Sequence, residues 1–256
     1  MKILSIGNSF SQNAQKYLHK IALGEGIDLE SENLYIGGCS LETHWENVRG
    51  NLAKYQYQRN GSPVYVDSEG TVRYGSIREA LEEEPWDVIT FQQASHDSGL
   101  YETYQPYLQN LSEYVRKLAP QARQMIHETW AYEIDSTHGA FGRYGNSQVE
   151  MYAKLKDAYA RAAASIDAEI IPVGDVIQAL RALPPFDYAH GGSSLCADGF
   201  HMNDSYGEYA VGATWLAAIC GRVPSKGGFV PETCGPEKDE WLPAIWRVVA
   251  EQTGAR

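Results

Sequence analysis

Residues 3–11 read ILSIGNSFS, and this stretch indicates both the fold and the position of a reactive side chain. The apolar run over residues 3–6 is typical of a buried strand, and the apolar residues after it recur at helical spacing from Phe10 to Ile21. Ser11 is expected to cap that helix. A strand that ends in Gly-Asn-Ser and passes into a helix places Ser9 at the carboxyl end of the strand, where open α/β sheets form their sites.

Strand and helix patterns alternate along the rest of the chain. Four further strands are predicted, at residues 29–36, 86–91, 124–129 and 170–173, and helical patterns separate them. Such alternation indicates a parallel sheet with helices packed on both faces. Because the 256 residues contain no internal repeat and no Pro-, Gly- or Ser-rich linker, one domain is expected over residues 1–256.

Two segments interrupt this alternation. Residues 55–74 alternate polar and aromatic side chains around the turn signals Asn60-Gly61 and Glu69-Gly70, which predicts a β-hairpin insertion. Residues 133–146 contain three glycines and lack an apolar period, which predicts a long loop. Long loops in compact domains are commonly functional, so either segment could form a wall of the site.

Composition argues against several classes of function. The formal net charge of −12 disfavours nucleic acids and anionic membranes as partners, since both attract basic surfaces. The four cysteines are far apart and form no Cys-x-x-Cys motif, so neither a zinc ribbon nor a dithiol redox site is expected. No segment has the length of a transmembrane helix, and no signal-peptide pattern follows Met1. A cytoplasmic protein is therefore expected, or a secreted one if a signal has been removed.

The stretch CADGFHMN at residues 196–203 supplies the partners that a serine nucleophile needs. Asp198 and His201 are three residues apart, so one short turn allows the carboxylate to hold the imidazole. A serine hydroxyl becomes reactive when a histidine accepts its proton and an acid orients that histidine. The sequence therefore predicts a catalytic triad of Ser9, His201 and Asp198. The same Asp-x-x-His pair is also typical of a surface turn, a helix cap or two metal ligands, but no convincing third ligand lies nearby and no metal site is expected.

Residues 7–11 and 198–201 resemble the first and last sequence blocks of the SGNH (GDSL-type) serine hydrolases. GGCS at residues 37–40 resembles the block between them, and FQQASH at residues 91–96 is similar to an uncharacterised bacterial branch of that superfamily. The resemblance covers nearly the whole chain. It implies a three-layer α/β/α, flavodoxin-like fold with a five-stranded parallel sheet. It also implies an oxyanion hole that includes the amides of Ser9 and Gly38, although a tight turn explains the two glycines equally well.

The third block departs from the superfamily pattern Gly-x-Asn-Asp, whose asparagine amide donates to the oxyanion. Carbohydrate acetylesterases of the sialate type are more similar here, because they place a glutamine after an aromatic residue. That likeness implies Gln92 as the side-chain donor, with Gln93 as the second choice. Alignment by strand length puts His96 in the same place instead. Asn8 replaces the usual aspartate of the first block, which is not the proton acceptor.

The resemblance implies an esterase that cleaves short acyl esters through an acyl-enzyme, without a metal or an organic cofactor. The glutamine variant of the third block favours O-acetyl groups on carbohydrates. The expected partner is therefore a small-molecule or oligosaccharide ester. The alternative is a non-catalytic carbohydrate-binding or scaffold protein that has kept the hydrolase fold, which the altered third block also favours.

Overall fold

The structure is a computed structural model that describes residues 1–62, 65–66 and 69–256. Within these residues seven strands form one mixed sheet, in the spatial order β4-β3-β2-β1-β5-β6-β7. The strands are β1 (Lys2–Gly7), β2 (Glu30–Tyr35), β3 (Tyr55–Arg59), β4 (Tyr74–Gly75), β5 (Val88–Phe91), β6 (Arg123–His127) and β7 (Glu169–Ile171).

Helices cover both faces of the sheet and give a three-layer α/β fold. They are α1 (Ser9–Gln15), α2 (Leu18–Gly24), α3 (Leu41–Arg49), α4 (Ile77–Glu83), α5 (Tyr107–Leu118), α6 (Gln148–Ile166), α7 (Val173–Leu180), α8 (Tyr206–Cys220) and α9 (Lys238–Thr253). Helices α1, α2 and α8 pack together in one layer, and α3, α4 and α5 pack together in the other. None of the helices in the described part of the chain combines the length and the apolar character that crossing a membrane requires.

The expectation of a five-stranded, wholly parallel sheet is wrong at one edge. The five expected strands form the parallel part, in the order β2-β1-β5-β6-β7. Strands β3 and β4 extend the sheet beyond β2 in antiparallel orientation. Tyr55 and Tyr57 of β3 are fully buried, and Arg59 pairs with Glu32 of β2 at 3.3 Å. This packing covers the edge of β2, which a five-stranded sheet would leave unpaired.

The two segments predicted as insertions differ in how much regular structure they contain. In residues 55–74, Tyr55 lies opposite Gly75 in the antiparallel ladder between β3 and β4. The rest of that predicted hairpin includes residues 63–64 and 67–68, which lie outside the described residues. The loop predicted over residues 133–146 contains one 3-10 turn, Phe141–Tyr144, whose two aromatic rings are buried and anchor the loop to the core.

Two of the element boundaries that differ from those predicted have a local chemical reason. Asn8 rather than Ser11 caps α1, and the Ser11 hydroxyl completes the capping box by accepting from the Asn8 amide at 3.0 Å. The fifth predicted strand, at residues 170–173, ends at Ile171 because Pro172 lacks the amide that would continue a strand ladder. Val173 therefore begins helix α7.

Candidate active site

Ser9 is the first residue of helix α1 and follows directly on the buried strand β1. The Asn8 side chain fixes this junction, because its Oδ1 accepts from the Phe10 amide at 3.0 Å. Asn8 is buried, whereas Ser9 is partly exposed. The junction therefore holds its backbone inside the protein and presents the Ser9 hydroxyl at the carboxyl edge of the sheet.

The loop of residues 194–203, called the His–Asp loop below, carries Asp198 and His201 outside any long element. An antiparallel bridge between Cys196 and Met202 closes the loop, and Gly199 turns it with a φ of +86°. Asp198 Oδ1 accepts from the amide of His201 at 2.7 Å, which places the carboxylate beside the imidazole of the same turn.

Three side chains form a continuous line of hydrogen bonds. His201 Nδ1 lies 2.8 Å from Asp198 Oδ2 and donates to it, since a carboxylate only accepts, and in the neutral ring Nε2 is then the acceptor. Ser9 Oγ lies 2.8 Å from His201 Nε2, although the two residues are 192 positions apart in the chain. Because Nε2 is then the acceptor, the Ser9 hydroxyl donates. The structure thus brings Ser9, His201 and Asp198 into the geometry of a nucleophile, a base and an orienting acid.

Hydrogen bonds favour the ionised form of the Asp198 carboxyl. Burial by itself would raise the pKa of Asp198, but hydrogen bonds from the His201 ring and from the amides of His201 and Phe200 outweigh it and lower that pKa. The Asp198 side chain is 46% exposed and the His201 side chain 32% exposed, so both reach solvent. An ionised Asp198 stabilises the imidazolium that forms when His201 accepts a proton.

Sequence reasoning missed the residue that joins the nucleophile helix to the His–Asp loop. Asn13 Oδ1 accepts from the Met202 amide at 3.1 Å, and Asn13 Nδ2 donates to Glu208 Oε1 of helix α8 at 2.7 Å. The signal in the sequence is a polar residue on the apolar face of α1, one position before the buried Ala14. Asn13 fixes the backbone next to His201 relative to Ser9.

Aromatic rings also contact the residues next to Ser9 and His201. Trp130 Nε1 donates to the Phe200 carbonyl at 2.7 Å, and the Trp130 ring stacks on Phe10 with centroids 4.2 Å apart. Phe10 follows Ser9, and Phe200 precedes His201. Buried Trp130 therefore contacts both halves of the site, a role that its position after strand β6 did not reveal.

The backbone around Gly38 lies beside the nucleophile. Asn8 Nδ2 donates to the Cys39 carbonyl at 3.2 Å, which holds residues 37–39 next to the Ser9 junction. Gly38 is exposed and has a φ of +62°, so the turn itself requires glycine. Within the described residues, the amides of Ser9 and Gly38 donate to no protein acceptor. The turn role of Gly38 is compatible with a donor role for its amide, and the oxyanion role of the two amides stays a prediction.

Gln92 and Gln93 are buried and bonded inside the protein. Gln92 Nε2 donates to Asn8 Oδ1, and Gln92 Oε1 accepts from His127 Nδ1 at 2.8 Å. Gln93 Oε1 accepts from the Leu41 amide at 2.9 Å, and its Nε2 donates to the Thr103 carbonyl at 3.0 Å. In this geometry the Gln92 side chain contacts Asn8, the residue before Ser9, and its role as an oxyanion donor stays a prediction.

Two further histidines lie along the rim of the site. The His138 ring lies 4.9 Å from Phe200, whose ring is 4.2 Å from that of His201, and His96 lies 6.5 Å beyond His138. His138 Nδ1 accepts from the Ala140 amide at 3.2 Å. Burial, with smaller contributions from nearby His96 and His201, lowers the pKa of His138. Because Nδ1 accepts from the Ala140 amide, the proton of the neutral ring lies on Nε2, which can act as a donor.

Among the described residues, no group of three or more His, Cys, Asp or Glu side chains could hold a metal ion. The site consists of hydroxyl, imidazole, carboxylate and backbone amide groups. Such a set can carry out acyl transfer by nucleophilic and general-base catalysis.

Comparisons with known proteins give the family and the fold. The family model described as "Domain of unknown function (DUF4886)" matches residues 2–241. A DUF4886 family protein from Bacteroides uniformis, solved by crystallography, is 34% identical with a TM-score of 0.86, over 100% of this chain and 96% of that one. No curated protein matches this chain.

More distant structures share the three-layer fold. A provisionally assigned SGNH hydrolase from Slackia heliotrinireducens is 23% identical with a TM-score of 0.54, over 84% of this chain and 96% of that one. An acetylxylan esterase from Geobacillus stearothermophilus is 10% identical with a TM-score of 0.50, over 84% and 92% of the two chains. The fold is therefore that of the SGNH hydrolases.

Proposed function

This chain belongs to the DUF4886 family, and we propose that it is a serine esterase that hydrolyses short acyl esters. One observation carries the proposal, namely the continuous line of hydrogen bonds from Ser9 Oγ through His201 to Asp198, with both links at 2.8 Å. A serine held this way at the mouth of an open α/β sheet has little structural purpose, because a partly exposed hydroxyl needs no protein partner.

The reaction follows from these contacts. Ser9 Oγ attacks the ester carbonyl carbon while His201 Nε2 accepts its proton, and Asp198 stabilises the imidazolium. The amides of Ser9 and Gly38 hold the oxyanion of the tetrahedral intermediate. The C–O bond to the alcohol then breaks, and His201 gives its proton to the departing alkoxide. Water, deprotonated by His201, hydrolyses the acyl-enzyme and restores Ser9.

We further propose that the substrates carry O-acetyl groups on carbohydrates. Two small polar cavities support a hydroxylated alcohol. One, of about 250 Å³, is lined by Asp198, Thr137, Tyr188 and Ser194. The other, of about 210 Å³, includes Ser40, two residues after Gly38, and is lined by hydroxyl, amide and carboxylate groups. The fold shared with an acetylxylan esterase adds support by analogy alone.

The alternative is a carbohydrate-binding protein without turnover. The position of Gln92 favours it, because the Gln92 amide donates to Asn8 and no side-chain oxyanion donor is assigned. In that case the hydrogen-bonded line at Ser9 would be a remnant of the fold, and Ser9 would not react.

A covalent probe separates the two functions. Wild-type protein, Ser9→Ala and the control Ser165→Ala are treated with a fluorophosphonate, and intact mass and p-nitrophenyl acetate hydrolysis are measured. Ser165 lies on helix α6, far along the chain from the site, and its hydroxyl bonds only its own helix. The esterase predicts one adduct on Ser9 and hydrolysis in the wild type and the control, with neither in Ser9→Ala. Hydrolysis that persists in Ser9→Ala contradicts it.

Substrate class is tested with the active protein. Acetate release from acetylated xylo-oligosaccharides is compared with hydrolysis of p-nitrophenyl acetate, butyrate and octanoate. The proposal predicts a higher kcat/KM for the acetylated sugars and a decline with acyl length. A preference for octanoate would contradict the acetyl-ester assignment while leaving the esterase mechanism intact.

A further inference from the structure

A buried ion pair lies behind the His–Asp loop, outside the line of reacting groups. Glu133 and Arg181 have side chains that are 3% and 5% exposed, and Arg181 Nη2 lies 3.5 Å from Glu133 Oε2. Glu133 belongs to the loop after strand β6, and Arg181 directly follows helix α7. Their bonds run to other groups than Ser9 and the ring of His201, so neither residue takes part in the chemistry described above.

Both charges bind the His–Asp loop directly. Ser194 Oγ donates to Glu133 Oε2 at 2.8 Å and accepts from the Cys196 amide at 3.0 Å. Arg181 Nη2 lies 3.4 Å from Cys196 Sγ. The pair therefore holds the loop at its start, two residues before Asp198.

A backbone contact holds the same loop at its turn. The Glu133 amide donates to the Gly199 carbonyl at 2.8 Å, between Asp198 and His201. This hydrogen bond joins two backbone groups, so it depends on the position of Glu133 rather than on its charge.

The rest of the pair is bonded to fixed parts of the fold. Glu133 Oε1 accepts from Gln148 Nε2 of helix α6 at 2.8 Å, and Arg181 Nη1 donates to the Ala131 carbonyl at 2.8 Å. The pair therefore connects the His–Asp loop to helix α6 and to the segment after β6.

We infer that Glu133 and Arg181 are positioning residues that set the placement of Asp198 and His201 relative to Ser9. This inference rests on the proposed function. The desolvation of two buried charges offsets much of their attraction, so such a pair adds little stability over an apolar replacement and is better suited to selecting one conformation. Here the conformation selected is that of a loop with only one β-bridge of its own among the described residues.

The same chain offers a matched control far from the loop. Glu32 is 2% exposed and pairs with Arg59 at 3.3 Å, between strands β2 and β3. Burial, opposed in part by Arg59, raises the pKa of Glu32 to about 7, so assays at pH 8 favour the ionised form of that carboxyl. Replacement of Glu32 leaves Arg59 with its second carboxylate, Glu84, at 3.9 Å, and only the Glu133 pair contacts the His–Asp loop.

The experiment compares Glu133→Gln with Glu32→Gln at pH 8, well below the melting temperature of each. We expect Glu133→Gln to lower kcat about 10–100-fold with KM changed less than about twofold, since a displacement near 1 Å at a catalytic group costs that much. We expect Glu32→Gln to keep kcat within about twofold, since this pair does not contact the His–Asp loop. Equal kcat in the two variants would overturn the inference.

A second readout does not depend on turnover. The low-field proton resonance of His201 Nδ1–H, hydrogen-bonded to Asp198, should broaden or shift in Glu133→Gln and stay unchanged in Glu32→Gln. An unchanged resonance in Glu133→Gln would overturn the inference even if the protein hydrolyses no ester. Persistent hydrolysis by Ser9→Ala would instead overturn the proposed function, so the two failures are distinguishable.

Ser194→Ala gives a version of the test that keeps both charges. It removes the link between Glu133 Oε2 and the Cys196 amide and leaves the ion pair in place. We expect kcat to fall about 3–10-fold, with the same shift of the His201 resonance, as for a partial misplacement of the base. A wild-type kcat and resonance in Ser194→Ala would overturn the inference if Glu133→Gln does not fold.

Discussion

The nucleophile and its base are held by two different kinds of structure. Ser9 stands at the junction of β1 and α1, where a parallel ladder on both sides and the Asn8 cap fix the backbone. His201 stands in the His–Asp loop, which has one β-bridge and is fixed by side chains from other parts of the chain. The nucleophile is thus positioned by local sequence, and the base and acid by tertiary contacts.

This difference has a consequence for how each half responds to change. A substitution near Ser9 acts on regular secondary structure, which the whole sheet stabilises. A substitution beneath the His–Asp loop acts on a few side-chain contacts, so it can move His201 without unfolding the protein. Substitutions in the two halves therefore differ in the size of their expected effect on kcat.

The largest effect is expected from removal of the base. His201→Ala should lower kcat for p-nitrophenyl acetate about 10⁴–10⁶-fold, since Ser9 then has no proton acceptor. Steady-state kinetics measure the loss, and circular dichroism should show an unchanged fold because the side chain is 32% exposed. His190→Ala is the control, since that histidine is exposed and its ring bonds Asp187 of its own turn. Activity near the wild-type level in His201→Ala would mean that the site is assigned wrongly.

Replacement of the acid should cost slightly less. In Asp198→Asn, the side-chain oxygen can still accept from the amides of the turn, so the His–Asp loop keeps its shape. The new amide cannot accept from His201 Nδ1–H, and kcat should fall about 10³–10⁴-fold because the histidine tautomer is no longer fixed. A crystal structure checks the loop, and kinetics check the loss. A loss below about tenfold would indicate that water replaces the carboxylate at this exposed position.

Substitution of Gln92 tests whether a residue that contacts Asn8, and not Ser9 itself, affects catalysis. Because its amide donates to Asn8 Oδ1, Gln92→Ala and Asn8→Ala should each lower kcat about 10–100-fold. The double variant should lose no more than the worse single variant, since both changes break one network. Gln93→Ala is the control, and it should lose stability with little change in kcat.

The opposite result would support the expectation drawn from the acetylesterase likeness. If Gln92→Ala alone lowers kcat about 10²–10³-fold while Asn8→Ala is close to wild type, the Gln92 amide reaches the oxyanion directly. If His96→Ala alone carries such a loss, the alignment by strand length is correct.

The smallest effect concerns Glu208, whose carboxyl accepts from Asn13, the residue that links helix α1 to the His–Asp loop. Burial, opposed in part by the Asn13 hydrogen bond, raises the pKa of Glu208 to about 7 from an ordinary value of 4.5. Between about pH 4.5 and pH 7 the folded state holds a proton that the unfolded state has lost. This carboxyl therefore makes the free energy of unfolding fall as pH rises through that range. Above about pH 7 its cost is constant.

Glu208→Gln removes this titration and keeps an oxygen at the position that accepts from Asn13 Nδ2. We expect the variant to match the wild type near pH 4 and to be more stable by about 1–3 kcal/mol at about pH 8. Urea unfolding at several pH values measures the difference, and kcat should change less than about twofold. A difference that is independent of pH would contradict the assignment. Glu128→Gln is a useful comparison, because burial also raises the pKa of Glu128 to about 8 and that residue does not join the two halves.

Much of the fold could be predicted because its signals are local. Apolar runs indicated the five parallel strands, and the Gly-Asn-Ser junction indicated the position of Ser9 at a strand end. The antiparallel edge could not be predicted as part of the same sheet, because pairing of β3 with β2 depends on contacts such as Arg59 with Glu32 across the chain. Alternation in residues 55–59 indicates a strand but not its partner.

The residues with chemical roles in the site could be predicted from the sequence. The buried residues that position them could not. Ser9, His201 and Asp198 could be named from two short stretches because each chemical role demands a particular side chain. Their catalytic roles stay predictions, although His201 lies 2.8 Å from Ser9 on one side of its ring and 2.8 Å from Asp198 on the other. Asn13, Glu133 and Arg181 were not predicted, because a buried polar residue shows its partner only in three dimensions.

The sequence by itself determined the alternating α/β pattern, the strand-to-helix junction at Ser9 and the Asp-x-x-His turn, since each depends on neighbours within a few residues. Only the tertiary structure decided the direction of the edge strands, the inward turn of the Gln92 amide toward Asn8, and the approach of His201 to Ser9 across 192 positions. The physical reason is that propensity, periodicity and capping act over one or two turns of chain. The packing of buried charges and amides is settled only when distant segments leave water together.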